Sequence, residues 1–365
     1  MSTGPSNRGR GKRASADTQS FADVFGEPSF REPFNRLAAN YLRQEADTLG
    51  ISIVDQKSNE EIFNKAGNSD FLETQYTKDK DFNNTGRWFV PGTGLQTLTK
   101  ELRATLCKDL WLDLNFVNCG PTLLLELCKK HKIDEDNYQA LADYVKNRES
   151  KLMDGEPFAT RDEVKRTVIH MMEGKSLESL ESSIQEEPDD EKLKGIQWLP
   201  HLEKNLKDIR KSIACSDEYE EIRKSIACSD EYEVKKLKDS QSDIRKSIAC
   251  SDEYEEIRKS IACSDEYYEI RLRHKHAANK EAKIMSAVLS QSENACVQAM
   301  YHFLKAQGII VNAECVLTYQ GIMVLASERN RERIGEGFLK QASDAIREQT
   351  GFTLNIKLSW LCDLD

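Results

Sequence analysis

The residues of this chain that could do chemistry lie in three places. The first is DLWLDLNFVN, residues 109–118, where alternating apolar residues predict a buried strand with carboxylates at Asp109 and Asp113. Cys119-Gly120-Pro121 breaks that strand, and TLLLELCKK begins a helix whose last turn is basic. The second is FATRDEVKRTVIHMMEG, where Thr160 is placed to cap a helix and Arg161 and Lys165 share one face at i and i+4. The third runs from Ser286 to Val324. There Val288, Ala295, Val297, Met300, Phe303 and Leu304 keep a helical period, and Gly308 stops it. Two short β-rich runs follow, IIV and CVLTY, and a tight Gln-Gly step presents Gln320.

Carboxylates on adjacent strands can hold two divalent ions about 3.5–4 Å apart, the arrangement that phosphoryl and nucleotidyl transfer uses. Asp113 is the candidate on its strand. Gln320 stands at the opposing turn, where its amide oxygen can coordinate a metal but brings no charge to offset a dication. Two cations on one helix face, Arg161 and Lys165, suit a triphosphate, whose charge they would neutralise. Each pattern also has a plainer reading: a strand-turn-helix unit with an ordinary acid, and a solvated basic helix face.

The elements that must position these residues divide the chain. Residues 1–20, MSTGPSNRGRGKRASADTQS, lack an apolar period and read as a disordered basic arm. Residues 21–106 read as a helical N-terminal region, with Phe34, Leu37, Ala38, Tyr41 and Leu42 on one amphipathic face. The PGTG step at 91–94 lacks the GK[ST] of a phosphate loop and reads as a turn. Residues 107–178 and 283–365 carry the chemistry described above.

Between them, 179–282 combine an acidic linker with a tandem repeat. IRKSIACSDEY begins at 209, 222, 244 and 257, so a two-copy unit is itself duplicated at a 35-residue interval. Thirteen residues make about 3.6 helical turns, so neighbouring copies do not return to one face. Ile209, Ile213 and Tyr219 are sparse among charges, which predicts an exposed helical arm available to protein partners.

Bulk composition bounds the rest. The chain has 365 residues, 39% of them hydrophobic, and a formal net charge of −10. That suffices for one substantial core or two modest ones, and it argues against indiscriminate binding to nucleic acid while leaving room for a local basic groove. No run of eighteen apolar residues predicts a membrane span, and the N-terminus lacks the apolar core of a secretory leader. Of ten cysteines, four lie in the repeat and none forms a CxxC pair. Cys128 and His131 have no second pair at metal-binding distance. Reduced thiols are expected, in the nucleus or cytoplasm.

The order of the three motifs resembles the palm and fingers of family A DNA polymerases. It is closer still to polymerase-like proteins of large DNA viruses and protists, which share a strand motif D-x-D-x-x-N-x-H-P. This chain reads Asp113-Leu-Asn115-Phe-Val-Asn118-Cys-Gly120-Pro121. The second motif is matched by Arg161, Lys165 and Gly174, the third by Gln320-Gly321-Ile322-Met323, and TGFTLNIKLSW is similar to the strand that follows. Coverage is roughly 107–178 and 283–365. Three departures stand out: Asn115 where the family has its catalytic Asp, Gly120 in place of His, and Gln320 in place of the hairpin Asp.

The resemblance implies an α/β fold with a palm-like antiparallel sheet, a helical N-terminal region and a repeat-containing helical insertion. It implies a nucleotidyltransferase acting on nucleic acid, DNA ahead of RNA, with a nucleoside triphosphate as substrate. Asp113, Asn115 and Gln320 would form the catalytic set, with Mg²⁺ on Asp113 and Gln320, and with Arg161 and Lys165 on the triphosphate. The missing carboxylates predict impaired catalysis. The alternative is a nucleic-acid-binding or protein-interaction module that keeps the fold. No exonuclease motif is apparent.

Overall fold

The structure, a computed structural model, describes residues 28–78, 87–154, 160–184, 193, 196–227 and 255–360, with the backbone alone at 181–184, 255–279 and 360. The basic arm, much of the acidic linker, the second half of the second repeat copy and the third copy lie outside the described residues.

The N-terminal region contains β1 (Ser29–Pro33), α1 (Arg36–Gln44), α2 (Ile53–Ala66), β2 (Phe71–Gln75), β3 (Thr77–Lys78), β4 (Trp88–Phe89) and α3 (Lys100–Cys107). It is helical, as expected, but it also holds two antiparallel ladders, β1 with β2 and β3 with β4. The face expected on the first helix is borne out in part: Phe34, Ala38 and Leu42 pack into a core, and Leu37 and Tyr41 do not. Phe34 and Ala39 are buried, whereas Leu37 is 83% exposed and Tyr41 57%. Asn35 caps α1, accepting from Ala38 N at 3.0 Å, so the helix begins after Phe34 and its phase follows that cap.

Next come β5 (Trp111–Phe116), α4 (Cys119–Lys130), α5 (Gln139–Lys146), α6 (Arg148–Met153), α7 (Arg161–Met172), α8 (Leu177–Ile184) and α9 (Leu199–Ala214). Cys119-Gly120-Pro121 does not precede α4 but forms its first turn. Proline fits there because its missing N–H would lack a helical partner in any case. The break falls instead at Asn118, which adopts a left-handed conformation, φ 51°. Thr160 caps α7 as expected, in a reciprocal box with Glu163.

The C-terminal part holds α10 (Glu255–Ala306), β6 (Cys315–Thr318), β7 (Gly321–Leu325), α11 (Glu328–Arg333), α12 (Glu336–Thr350) and β8 (Ile356–Trp360). The expected IIV strand is absent: Ile309 and Ile310 are buried in the loop after α10. The 52-residue α10 runs unbroken from the fourth repeat into the C-terminal segment.

Four strands form one antiparallel sheet in the order β6-β7-β5-β8. The two segments expected to pair do so: Asp113 lies opposite Met323 and Asn115 opposite Gly321. Strand side chains alternate, so β5 serves two cores. Leu112, Leu114 and Phe116 join Ile322 and Val324 in the larger core, with α4 and α10, while Trp111 and Met323 join the smaller core with α1 to α3. This is an α/β fold with a palm-like antiparallel sheet.

The first repeat copy is not an exposed arm. Ile209, Ile213 and Tyr219 are all buried, the two isoleucines of α9 completely, and Ile226 at the start of the second copy is buried as well. They extend a stripe begun upstream by Leu199, Leu202 and Leu206, at helical spacing across the start of the repeat. The copy read in isolation hid that stripe. Tyr219 reaches His131 at the C-terminal end of α4 at 2.9 Å, Lys130 pairs with Glu218 at 2.5 Å, and Arg210 donates to the Met171 carbonyl at 2.6 Å.

Candidate nucleotide site

Asp113 and Asn115 project from the same face of β5, two residues apart. The Asn115 amide donates to Asp113 Oδ2 at 2.6 Å. Asp113 Oδ1 is buried and makes no hydrogen bond among the described residues. Burial pushes the Asp113 pKa up, against the opposing pull of Asn115, Arg103 and Lys357.

Gln320 occupies the turn between β6 and β7, where the hairpin reading put it, and its carbonyl accepts from Phe116 N at 2.8 Å. Its side chain points its amide at Glu293 Oε1, 3.4 Å away. Behind this turn Gly321 is required: a Cβ there would stand 2.1 Å from the Leu114 carbonyl and 2.7 Å from Asn115 Oδ1. The close approach lets the Asn115 side chain lie directly over β7.

A cavity of about 430 Å³ opens beside this junction. Asn115, Gln320 and Lys165 all line it, together with residues 116–121, from the end of β5 into the first turn of α4. Asp113, one pair further along the strand, is not in its lining, and neither is Arg161. Arg161 is turned onto Glu149, with a hydrogen bond of 2.8 Å. Of the expected residues, three are therefore gathered at one cavity and two stand outside it.

Five charged residues of the cavity were not anticipated: Arg87, Arg148, Glu173, Glu293 and Lys357. Glu293 projects from α10, and its side chain is 2% exposed. It forms an ion pair with Arg87, whose Nε donates to Oε2 at 2.5 Å. Burial pushes the Glu293 pKa up, with Arg87, Gln320 and Cys119 pulling the other way. Lys357 sits on β8 opposite Asn115. The lining thus carries four cations, Arg87, Arg148, Lys165 and Lys357, against two acids, Glu173 and Glu293.

The expected Mg²⁺ can be tested against these donors. Asp113 Oδ2 is engaged by Asn115, and both Glu293 oxygens are engaged, by Arg87 and Gln320. No group of three or more His, Cys, Asp or Glu residues stands ready to hold an ion among the described residues. Asn115 and Gln320 offer neutral amides. The donor set does not fit a two-metal centre, which needs carboxylates to balance two dications.

No protein-family model matches the chain. Over 290 residues the chain is 24% identical to a protein of the Sputnik virophage named as a candidate helicase, V13. That match takes in 79% of the chain and 30% of the viral protein, so the chain spans about a third of this relative's length. Among solved structures it is similar to the POL domain of Pol1 from M. smegmatis, in complex with DNA primer-template and dNTP. The TM-score is 0.48 at 8% identity, with 93% of the chain and 58% of that domain covered.

Proposed function

We propose that this chain is a polymerase-like nucleotide- and nucleic-acid-binding protein whose nucleotidyl-transfer site is impaired. The observation that carries the reading is the cavity itself. It gathers four cations around the α4 N-terminus at the junction of two paired palm-like strands, an environment suited to phosphate oxygens. The same junction presents Asn115 and Gln320 where two-metal chemistry wants carboxylates. Lys165 holds the triphosphate, and the nucleic acid is DNA ahead of RNA. Six free cysteines among the described residues accord with an intracellular location. No helix among them is long and apolar enough to cross a membrane.

The name of the viral relative raises helicase activity. Gly174-Lys175-Ser176 is the one fragment that touches a phosphate-loop pattern, but Ile169 stands where its first glycine belongs. Residue 169 also lies inside α7 and not in a loop. We therefore do not extend helicase chemistry to this chain. The donor set favours, as a second reading, a module that binds nucleic acid or protein without catalysis.

The test is equilibrium binding of a fluorescent deoxynucleoside triphosphate. Lys165→Ala should weaken binding by about 1–3 kcal/mol, the usual worth of a charge-assisted hydrogen bond. Unchanged affinity would leave Lys165 an ordinary surface cation and remove the triphosphate reading.

A further inference from the structure

Two donors in the cavity wall lack acceptors. Asn118 Nδ2 and Arg148 Nε are buried and make no hydrogen bond among the described residues, although buried polar groups are nearly always paired. Both residues line the cavity with Lys165. The N-cap position of α4 adds to the deficit: Asn118 makes no side-chain cap bond, so the helix's leading N–H groups gain nothing from it. Every one of these groups donates, so the complementary ligand accepts hydrogen bonds and carries negative charge.

Arg148 is held in place by its neighbour. Glu149 pairs with both Arg148 and Arg161. Arg161 sits outside the cavity, 43% exposed at its side chain, whereas Arg148 is in the wall at 20%. Glu293, the buried acid of the cavity wall, is already paired with Arg87. Charge on an incoming anion is thus met by fixed side-chain cations, with no step that requires a dication.

We infer that Arg148, with Asn118 and Lys165, forms a phosphate subsite that holds a pyrophosphate-type anion, the terminal phosphates of a nucleoside triphosphate, without a divalent metal. This rests on the nucleotide-binding reading above and gives Arg148 the role that the sequence motif assigns to Arg161. Guanidinium geometry matters here, because Arg presents several donors in one plane and Lys does not.

The experiment is calorimetric titration of the full chain with inorganic pyrophosphate, once in EDTA and once in Mg²⁺. Binding in EDTA should match that in Mg²⁺ within about twofold. Arg148→Gln and Asn118→Ala should each weaken it by about tenfold, the order expected for one charge-assisted hydrogen bond. Arg161→Gln should stay within about twofold. Thermal melts establish that each variant is folded; should Arg148→Gln fail to fold, Asn118→Ala and Arg148→Lys decide the matter.

Binding that appears only with Mg²⁺ would overturn the inference, as would an Arg161→Gln loss equal to that of Arg148→Gln, or full affinity in both wall variants. A parallel titration with a deoxynucleoside triphosphate and with a 5′-phosphorylated oligonucleotide separates the two sources of phosphate. Tighter binding of the oligonucleotide than of the triphosphate would overturn the assignment to triphosphate. Triphosphate binding without any pyrophosphate binding would sink this subsite alone, while the absence of both would sink the nucleotide reading as well.

Discussion

Combining Asn115→Asp with Gln320→Asp should raise affinity for Mn²⁺ by at least about tenfold, since each new carboxylate adds a full charge to the ligand set. Asn115 is the decisive half of the pair. Its amide lies 2.6 Å from Asp113 Oδ2, so the substitution replaces a hydrogen bond with two adjacent carboxylates. Without metal those carboxylates repel, and one is driven to keep a proton. The metal-free variant should therefore melt below the parent chain. Added Mn²⁺ should restore the loss, because an ion that binds only the folded state stabilises it by mass action. Asparagine and aspartate are nearly isosteric, so the tight packing over Gly321 is preserved. Calorimetry and melting with and without metal read both effects. No gain in metal affinity would mean that residues 115 and 320 do not frame an ion site at all.

The second large effect concerns the repeats. Ile213→Asp should abolish the cooperative thermal transition, or lower stability by about 4 kcal/mol or more, because it places an unpaired charge at a fully buried position. Ile53→Asp is the matched comparison, since that isoleucine is 83% exposed; it should change stability by no more than about 0.5 kcal/mol. Circular-dichroism melts of the two variants distinguish the cases. If Ile213→Asp were as mild as Ile53→Asp, the first repeat copy would be a detachable arm after all.

These two outcomes mark where the sequence was legible. The closing strand, Ile356–Trp360, lies in the segment TGFTLNIKLSW that only the family resemblance pointed to, whereas the strand around Asp113, the hairpin at Gln320 and the helix behind them follow from apolar periods of two or 3.6. The capping box at Thr160 was legible for the same reason: it is a local pattern. Arg87 and Glu293 were not, because their contact spans 206 residues of sequence. A signal did exist for Glu293. It stands four residues before Val297 and seven before Met300 on the apolar stripe of α10, and a charge on such a stripe is buried only when it is paired.

Arg148 and Arg161 show a different limit. Both are arginines beside acids in short helices, and nothing local says which one faces a cavity; the shared partner Glu149 is visible only in three dimensions. The repeat failed for a third reason. Treating it as a unit cut its isoleucines off from Leu199, Leu202 and Leu206, the residues that complete their helical face.

Primer extension by the unmodified chain tests the central claim most directly. A primer-template with all four deoxynucleoside triphosphates, in Mg²⁺ and separately in Mn²⁺, should give binding of the nucleotide but little or no extension. Asn115, Gln320 and the Arg87-engaged Glu293 leave the junction without the carboxylates that two dications require. Robust Mg²⁺-dependent extension, abolished by Asp113→Ala, would contradict that account and make Asp113 a working metal ligand.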